Sequence, residues 1–224
     1  MTSRQFTADT TGPVTLDAAL LGGPGTIIVR AEPTCRRAVV TVSTREEGPA
    51  ADAVRLATTQ FSDGRLQVGV HVEEPAGSGD PTVVVTGRRR TSYGGLTMRQ
   101  RFIGAGREIA PVEIAAVVPE GSSVTCRSDS ADIETTGALA DITADIRSGH
   151  VGIGSLLGAA NIYVRTGSIR VHATGHRTHA AGLRLTAWTG NITVTADRST
   201  LDSGLNVDAA TRSGTVSTPQ TALR

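Results

Sequence analysis

Arginine is where this sequence concentrates its chemistry: all 22 basic residues are Arg and none is Lys. A guanidinium is a permanent cation whose planar fork of donors suits bidentate recognition of anions, although a GC-rich codon bias accounts for the same preference. Segment 87–107 carries Arg88, Arg89, Arg90, Arg99, Arg101 and Arg107, with Tyr93 and Phe102 between them and no acid. Uncompensated positive charge interleaved with aromatics predicts a salt-sensitive attraction for an anionic polymer. The competing expectation is a solvated insertion, the usual fate of a connection about 20 residues long. A second group recurs, in which Arg127, Arg147, Arg165, Trp188 and Arg212 are each followed by Ser or Thr and then by Gly or Asp. If the fold lines these up, guanidinium groups and an indole share one edge and offer a surface to anionic polymers or sugars. Against this, charges on a sheet face are most often only solvated, and Asp145 stands two residues from Arg147.

The remaining reactive residue types are sparse. His172, His176 and His179 could gather imidazoles around a metal, but no Cys or acid joins them locally, so an exposed polar loop is preferred and no metal is expected. Cys35 and Cys126 are too few for a disulfide scaffold, and Cys126 falls at an inward position, where it reads as a small buried hydrophobe. Asp132, Glu134, Asp141 and Asp145 are scattered over different faces, and Gly22-Gly23-Pro24-Gly25 precedes a strand where a nucleotide-binding loop would precede a helix. Neither an enzyme nor a cofactor is therefore expected.

The elements that must position these residues form a repeat between Val124 and Thr218. Aligned on its Arg or Trp, each unit has small or apolar residues three and one positions before (Val124/Cys126, Ala144/Ile146, Ile162/Val164, Leu185/Ala187, Ala209/Thr211) and four and six after (Ala131/Ile133, Val151/Ile153, Ile169/Val171, Ile192/Val194, Val216/Thr218). Period-two alternation on both sides of a Gly predicts two strands per unit facing one interior, with Asp129 standing in for Gly in the first. Intervals of 20, 18, 23 and 24 residues lie in the range of solenoids. The expected fold is all-β: a β-solenoid of stacked two-strand coils with Ser/Thr-Gly bends, preceded by an N-terminal β region with a hairpin and one short helix. The expected divisions are an N-terminal region at 1–118, repeats at 119–218 and a tail at 219–224. The more polar inward column of Ala209, Thr211 and Thr218, followed by Pro219, predicts a terminated stack.

Upstream, a strand opens at Val14 and Leu16, Gly22-Gly23-Pro24-Gly25 is a turn, and Thr26–Ala31 and Ala38–Ser43 are strands that together read as a coil of the later kind. Ala50, Ala53, Val54 and Ala57 predict a short helix near 50–57, and Asp63-Gly64 a hairpin into a strand over 65–73. Strands are further expected at Thr82–Thr86 and Val112–Val118. With a net charge of +1 there is no global electrostatic case for nucleic acid. The first residues lack the apolar core of a signal peptide, and no apolar run approaches about 18 residues, so no membrane span and a cytoplasmic location are expected.

The Gly-punctuated opening strands, the Asp63-Gly64-Arg65-Leu66 hairpin, the Val118-Pro119-Glu120-Gly121-Ser122 link and the Ser-Gly and Thr-Gly strand repeats resemble the bacterial putative-adhesin family of unknown function, common in actinobacteria. The resemblance implies a β-solenoid without established catalytic residues. The Arg-rich segment 87–107 and the His-rich stretch 172–179 depart from it. The expected function is that of a non-enzymatic interaction or scaffold protein whose partner is another protein or a second copy of itself. The alternative is a binding module for nucleic acid or an anionic polysaccharide, and a carbohydrate-active enzyme comes third.

Overall fold

The computed structural model describes residues 1–73, 90–93, 96–99, 110–174 and 182–219. In chain order the elements are β1 (Thr2–Thr7), β2 (Thr15–Glu32), β3 (Val39–Thr44), α1 (Pro49–Arg55), β4 (Thr58–Ser62), β5 (Arg65–His71), β6 (Arg90–Tyr93), β7 (Leu96–Arg99), β8 (Val112–Pro119) and β9 (Ser123–Thr136). They continue with β10 (Ile142–Ser148), β11 (Val151–Leu156), β12 (Ala160–Thr166), β13 (Ile169–Ala173), β14 (Gly182–Thr189), β15 (Ile192–Ala196), α2 (Arg198–Asp202), β16 (Asn206–Ser213) and β17 (Val216–Ser217). The expectation of an all-β protein holds: among the described residues strands dominate, fifteen joined in one mixed sheet and β6 and β7 paired apart from it, with two short helices. No helix among the described residues is long and apolar enough to cross a membrane.

Two parallel ladders run through that sheet. One joins β5, β2, β9, β10, β12, β14 and β16; the other joins β8, β2, β9, β11, β13, β15 and β17. β2 and β9 belong to both because each bends midway, and in later layers a glycine separates the two strands. Gly149, Gly167, Gly190 and Gly214 stack here at φ between +141° and +144°. A Cβ on any of them would lie 1.7 to 2.1 Å from a carbonyl oxygen of the preceding layer, so close approach of backbones, as well as φ, demands glycine. Beside this column polar side chains clip layer to layer. Asp132 Oδ1 accepts the His150 N–H at 2.7 Å, His150 Nδ1 accepts the Ser168 N–H at 3.2 Å, and Asn191 Oδ1 accepts the Thr215 N–H at 3.0 Å.

Between the ladders lies the core. Ile133, Val151, Ile169 and Ile192 stack with at most 1% exposure each, and each such side chain contributes roughly 1.5–3 kcal/mol by leaving water. At the N-terminal end, β3 pairs antiparallel with β8, β1 with β3, and β4 with β5. There α1 buries Ala50, Ala51, Ala53 and Val54. Arg4 fastens this cover, its Nη1 donating to the carbonyls of Arg55 and Ala57, each at 2.7 Å.

Several local expectations hold and several do not. The helix forms at Pro49–Arg55, and Asp63 and Gly64 both take positive φ in the β4–β5 turn. Residues 82–86 lie outside the described residues. The opening strand pair is one continuous strand, β2, and with its bend it makes a full layer by itself, whereas β3 runs antiparallel and belongs to the cover. β1 and α2 were not anticipated. The alignment of the first repeat needs correction: Val124 sits beside Ile142 and Arg127 beside Asp145, so the layer step is 18 residues, not 20, and Asp129 occupies the row of Arg147. It is Ala131, not Asp129, that stands opposite the Gly149 bend. The cause is that Arg127-Ser128 imitates Arg147-Ser148 in residue type. At the far end Thr218, expected inward, is exposed.

Candidate ligand-binding face

Parity places every second residue of the first ladder outward, and the register turns these residues into columns. Arg147, Arg165, Trp188 and Arg212 stand in successive layers, since Ser148, Thr166, Thr189 and Ser213 are paired in order. All four are exposed, and the Arg212 guanidinium lies over the Trp188 ring at 4.3 Å from its centroid. A cation over an aromatic face holds both groups in place while leaving outer edges free. Of the five repeat-marking residues, Arg127 alone falls elsewhere, one column over, with Asp145, Tyr163, Thr186 and Ala210. In its place the Arg147 column is headed by Asp129, whose Oδ2 accepts the Gly22 N–H at 3.1 Å.

Tyr163 is the residue that reasoning from the repeats missed. It projects 42% exposed from β12 between the buried Ile162 and Val164, and it lies diagonally across from Trp188, itself 48% exposed. The available signal was the parity rule: a large aromatic in an outward position is not needed by the core. The third outward column holds Thr143, Asn161, Arg184 and Asp208. They line a groove of about 410 Å³ together with Asp141 and Asn206. Arg184 and Asp208 approach to 3.8 Å with both side chains 75% exposed, a pairing that contributes little to stability. Across the face the arginines 127, 147, 165, 184 and 212 outnumber the carboxylates 129, 141, 145 and 208. The result is a flat, net positive strip with two aromatic platforms.

The other candidates are placed differently. Arg88, Arg89, Arg101, Arg107, Phe102, His176 and His179 lie outside the described residues. Arg90 and Arg99 are cross-strand partners in the β6–β7 hairpin. His172 faces Thr195 Oγ1 through Nδ1 at 2.9 Å and Asp197 Oδ1 through Nε2 at 3.6 Å, so an acid from the following layer joins it that sequence proximity did not reveal. Among the described residues no three His, Cys, Asp or Glu side chains cluster as metal ligands would. Asp132 and Asp141 each give one carboxylate oxygen to a backbone N–H of the next layer, at 2.7 Å in both cases, which is a structural duty. Cys126 is fully buried, and its thiol is pushed up to about 12, first by burial and then by the nearby Asp17 carboxylate. A cavity of about 570 Å³ beside α1 is walled by Leu21, Ala53, Leu56 and Val70, with His71 and Glu73 at its polar side.

No family model matches the sequence, and no curated protein matches it. Solved structures do. The fold is similar to that of a putative cell adhesion protein from Clostridium sporogenes, over 96% of this chain and 97% of that one, at 8% identity and a TM-score of 0.50. A putative adhesin from Bacteroides fragilis aligns over 97% of each chain at 13% identity and a TM-score of 0.32. At such identities the first likeness speaks to the fold alone, and the second is too distant in shape to add to it.

Proposed function

We propose that the protein is a non-enzymatic β-solenoid binding module of adhesin type, whose outward face on β10, β12, β14 and β16 holds an acidic polysaccharide. The observation that carries this reading is the unbroken column Arg147–Arg165–Trp188–Arg212, with Tyr163 diagonal to it. Arg147 and Arg165, one layer spacing of about 4.8 Å apart, and Arg212, two layers beyond Arg165, meet a charged chain, and exposed aromatic faces stack on sugar rings. Asn161, Asp145 and Asp208 supply the hydrogen-bonding groups that hydroxyls need. A nucleic acid would gain from more cations and nothing from those carboxylates.

Trp188 is the only tryptophan in the chain, so its fluorescence reports on the face directly. Titration with heparin should shift the emission of the wild type, with an affinity that falls steeply as salt rises. Arg147→Ala with Arg165→Ala should weaken binding by at least tenfold and leave the fold intact. An unshifted spectrum at low salt, with no retention on a heparin column, would refute the reading. Equal binding of single-stranded DNA of matched charge would replace it with a general polyanion surface.

A further inference from the structure

The two ends of the sheet are built differently. At the N-terminal end antiparallel strands and α1 cover the core, whereas at the C-terminal end no described residue covers the last layer. In β16 the inward residues Val207, Ala209 and Thr211 are only half-buried, and Val216 of β17 is 40% exposed, although their counterparts Leu183, Leu185, Ala187 and Ile192 are at most 1% exposed. β16 pairs with β14 on one side, and among the described residues nothing pairs with its other side. In this ladder the inward residues donate to the following layer, as the Val124 N–H does to the Asp141 carbonyl at 2.9 Å and the Ile142 N–H to the Ala159 carbonyl at 3.0 Å. Strand alternation carries this to β16, whose inward residues Val207, Ala209 and Thr211 turn their N–H and C=O into the open edge.

We propose that this edge pairs with the same edge of a second copy, β16 against β16 in antiparallel sense, about a two-fold axis at Ala210. Three facts converge on this register. Inward residues must stay inward across the junction, so a residue can oppose only residues of its own parity. Among the central registers that satisfy this, pairing about Ala210 sets Asp208 opposite Arg212 of the other copy, and the reverse, on the outward face. The same register sets Ala209 opposite Thr211 of the other copy, and the reverse, as the residues that exchange backbone hydrogen bonds, since their N–H and C=O already face the open edge, giving about four new bonds. Both charged side chains are exposed and held only by outer contacts, Asp208 with Arg184 at 3.8 Å and Arg212 over Trp188 at 4.3 Å, so each keeps a free side for its partner. The contact is isologous and closes at a dimer. Inside, Val207, Ala209, Thr211 and Val216 of both copies meet and complete the core that each leaves open.

Sedimentation velocity across a dilution series tests the idea, with a monomer of 23.1 kDa and a dimer of about twice that mass as the species to distinguish. Wild type is expected to sediment as a dimer. Asp208→Arg, and separately Arg212→Asp, sets like charges opposite each other twice per interface and should weaken association about tenfold to hundredfold. The double exchange restores opposite charges and should restore the dimer. Ala209→Pro removes a donor that faces away from β14, so it should give a monomer with an unchanged circular dichroism spectrum. A wild type that stays monomeric at about 100 μM overturns the proposal. So does a dimer that survives Ala209→Pro, and so does a double exchange that fails to recover association.

Discussion

Replacing Gly167 by Ala probes the stacking directly. Gly167 lies at φ +144°, and an added Cβ would sit 1.8 Å from the Gly149 carbonyl oxygen and 2.7 Å from its carbon, both backbone atoms of the preceding layer. Real Cβ atoms stay beyond 3.0 Å, so the layers would have to part by more than an ångström at this point. They are joined there by Gly149 N–H to Thr166 O at 3.0 Å, Val151 N–H to Ser168 O at 2.9 Å and Ser168 N–H to His150 Nδ1 at 3.2 Å, and a separation of that size breaks most of these bonds. Backbone strain of about 1–3 kcal/mol and two or three hydrogen bonds at about 1 kcal/mol each give a loss of roughly 3–6 kcal/mol. That is a large share of the ~5–15 kcal/mol that holds most domains folded. Gly152→Ala is the control, because the nearest atom to its Cβ would be the Ile133 carbonyl oxygen at 3.8 Å and no positive φ is involved. There the restricted unfolded chain should leave stability unchanged or raised by up to about 1 kcal/mol. Urea denaturation followed by circular dichroism measures both, and equal midpoints for the two variants would refute the close-approach argument.

Ile169→Asp buries an unpaired carboxylate in the apolar stack and should cost about 4 kcal/mol or more, whereas Arg165→Ala trims an exposed side chain and should stay within about 0.5 kcal/mol; comparable losses in thermal melts would contradict the inward and outward assignment. Thr135→Val should stabilise by about 1 kcal/mol, because the buried Thr135 hydroxyl has no hydrogen-bond partner among the described residues and valine has the same shape without the unmet polar group. The Cys126 thiol, raised from its ordinary 9.0 to about 12, keeps its proton in the fold at a pH where the unfolded chain loses it. Its contribution is therefore fully present below pH ~9 and is lost as pH rises from there toward 12, at up to about 1.4 kcal/mol per pH unit. Urea midpoints of wild type should fall more steeply with pH in that window than those of Cys126→Ala, and parallel slopes would contradict the assignment.

Burial was legible in the sequence to a degree that register was not, and the first repeat shows why. Matching Arg127-Ser128 to Arg147-Ser148 misplaced β9 by two residues, yet Val124, Cys126, Ala131 and Ile133 are all buried as expected. An even slip preserves which side chains face inward, so alternation alone cannot detect it; the true equivalent, Asp129-Ser130-Ala131, carries no glycine to mark the bend. At Gly22-Gly23-Pro24-Gly25 the residue types suggested a reversal. What they serve is proximity, since a Cβ at Gly22 would meet the Val72 oxygen at 2.2 Å and one at Gly25 the Val112 oxygen at 2.1 Å. Strand direction leaves no trace in periodicity, so β3 could not be told from a strand of the parallel ladders. Of the binding face, the arginine and tryptophan column was readable because its members flank the bends, whereas Tyr163 sits mid-strand and emerges only when the layers are stacked.

The stacking also divides the work among the side chains. An inward residue must match the layer above and the layer below, so each inward column is held to small and apolar side chains, as the run Ile133, Val151, Ile169 and Ile192 shows. An outward residue touches only solvent and its column neighbours, and a charge or aromatic placed there costs the fold almost nothing. Chemistry can therefore accumulate along outward columns without disturbing the core, and here it accumulates toward the C-terminal end, from Arg147 through Trp188 to Arg212 in the last layer. Among the described residues that is also the end left uncovered. Antiparallel pairing of β16 across a two-fold axis keeps outward residues outward, so the binding strip of one copy would run into that of the other. A polymer long enough to lie on both would gain by avidity what a single exposed strip lacks in affinity. Ala209→Pro separates the two effects: it should leave the affinity of a short anionic oligosaccharide unchanged and lower that of a long one, and an equal loss for both lengths would show that the strips act independently of the pairing.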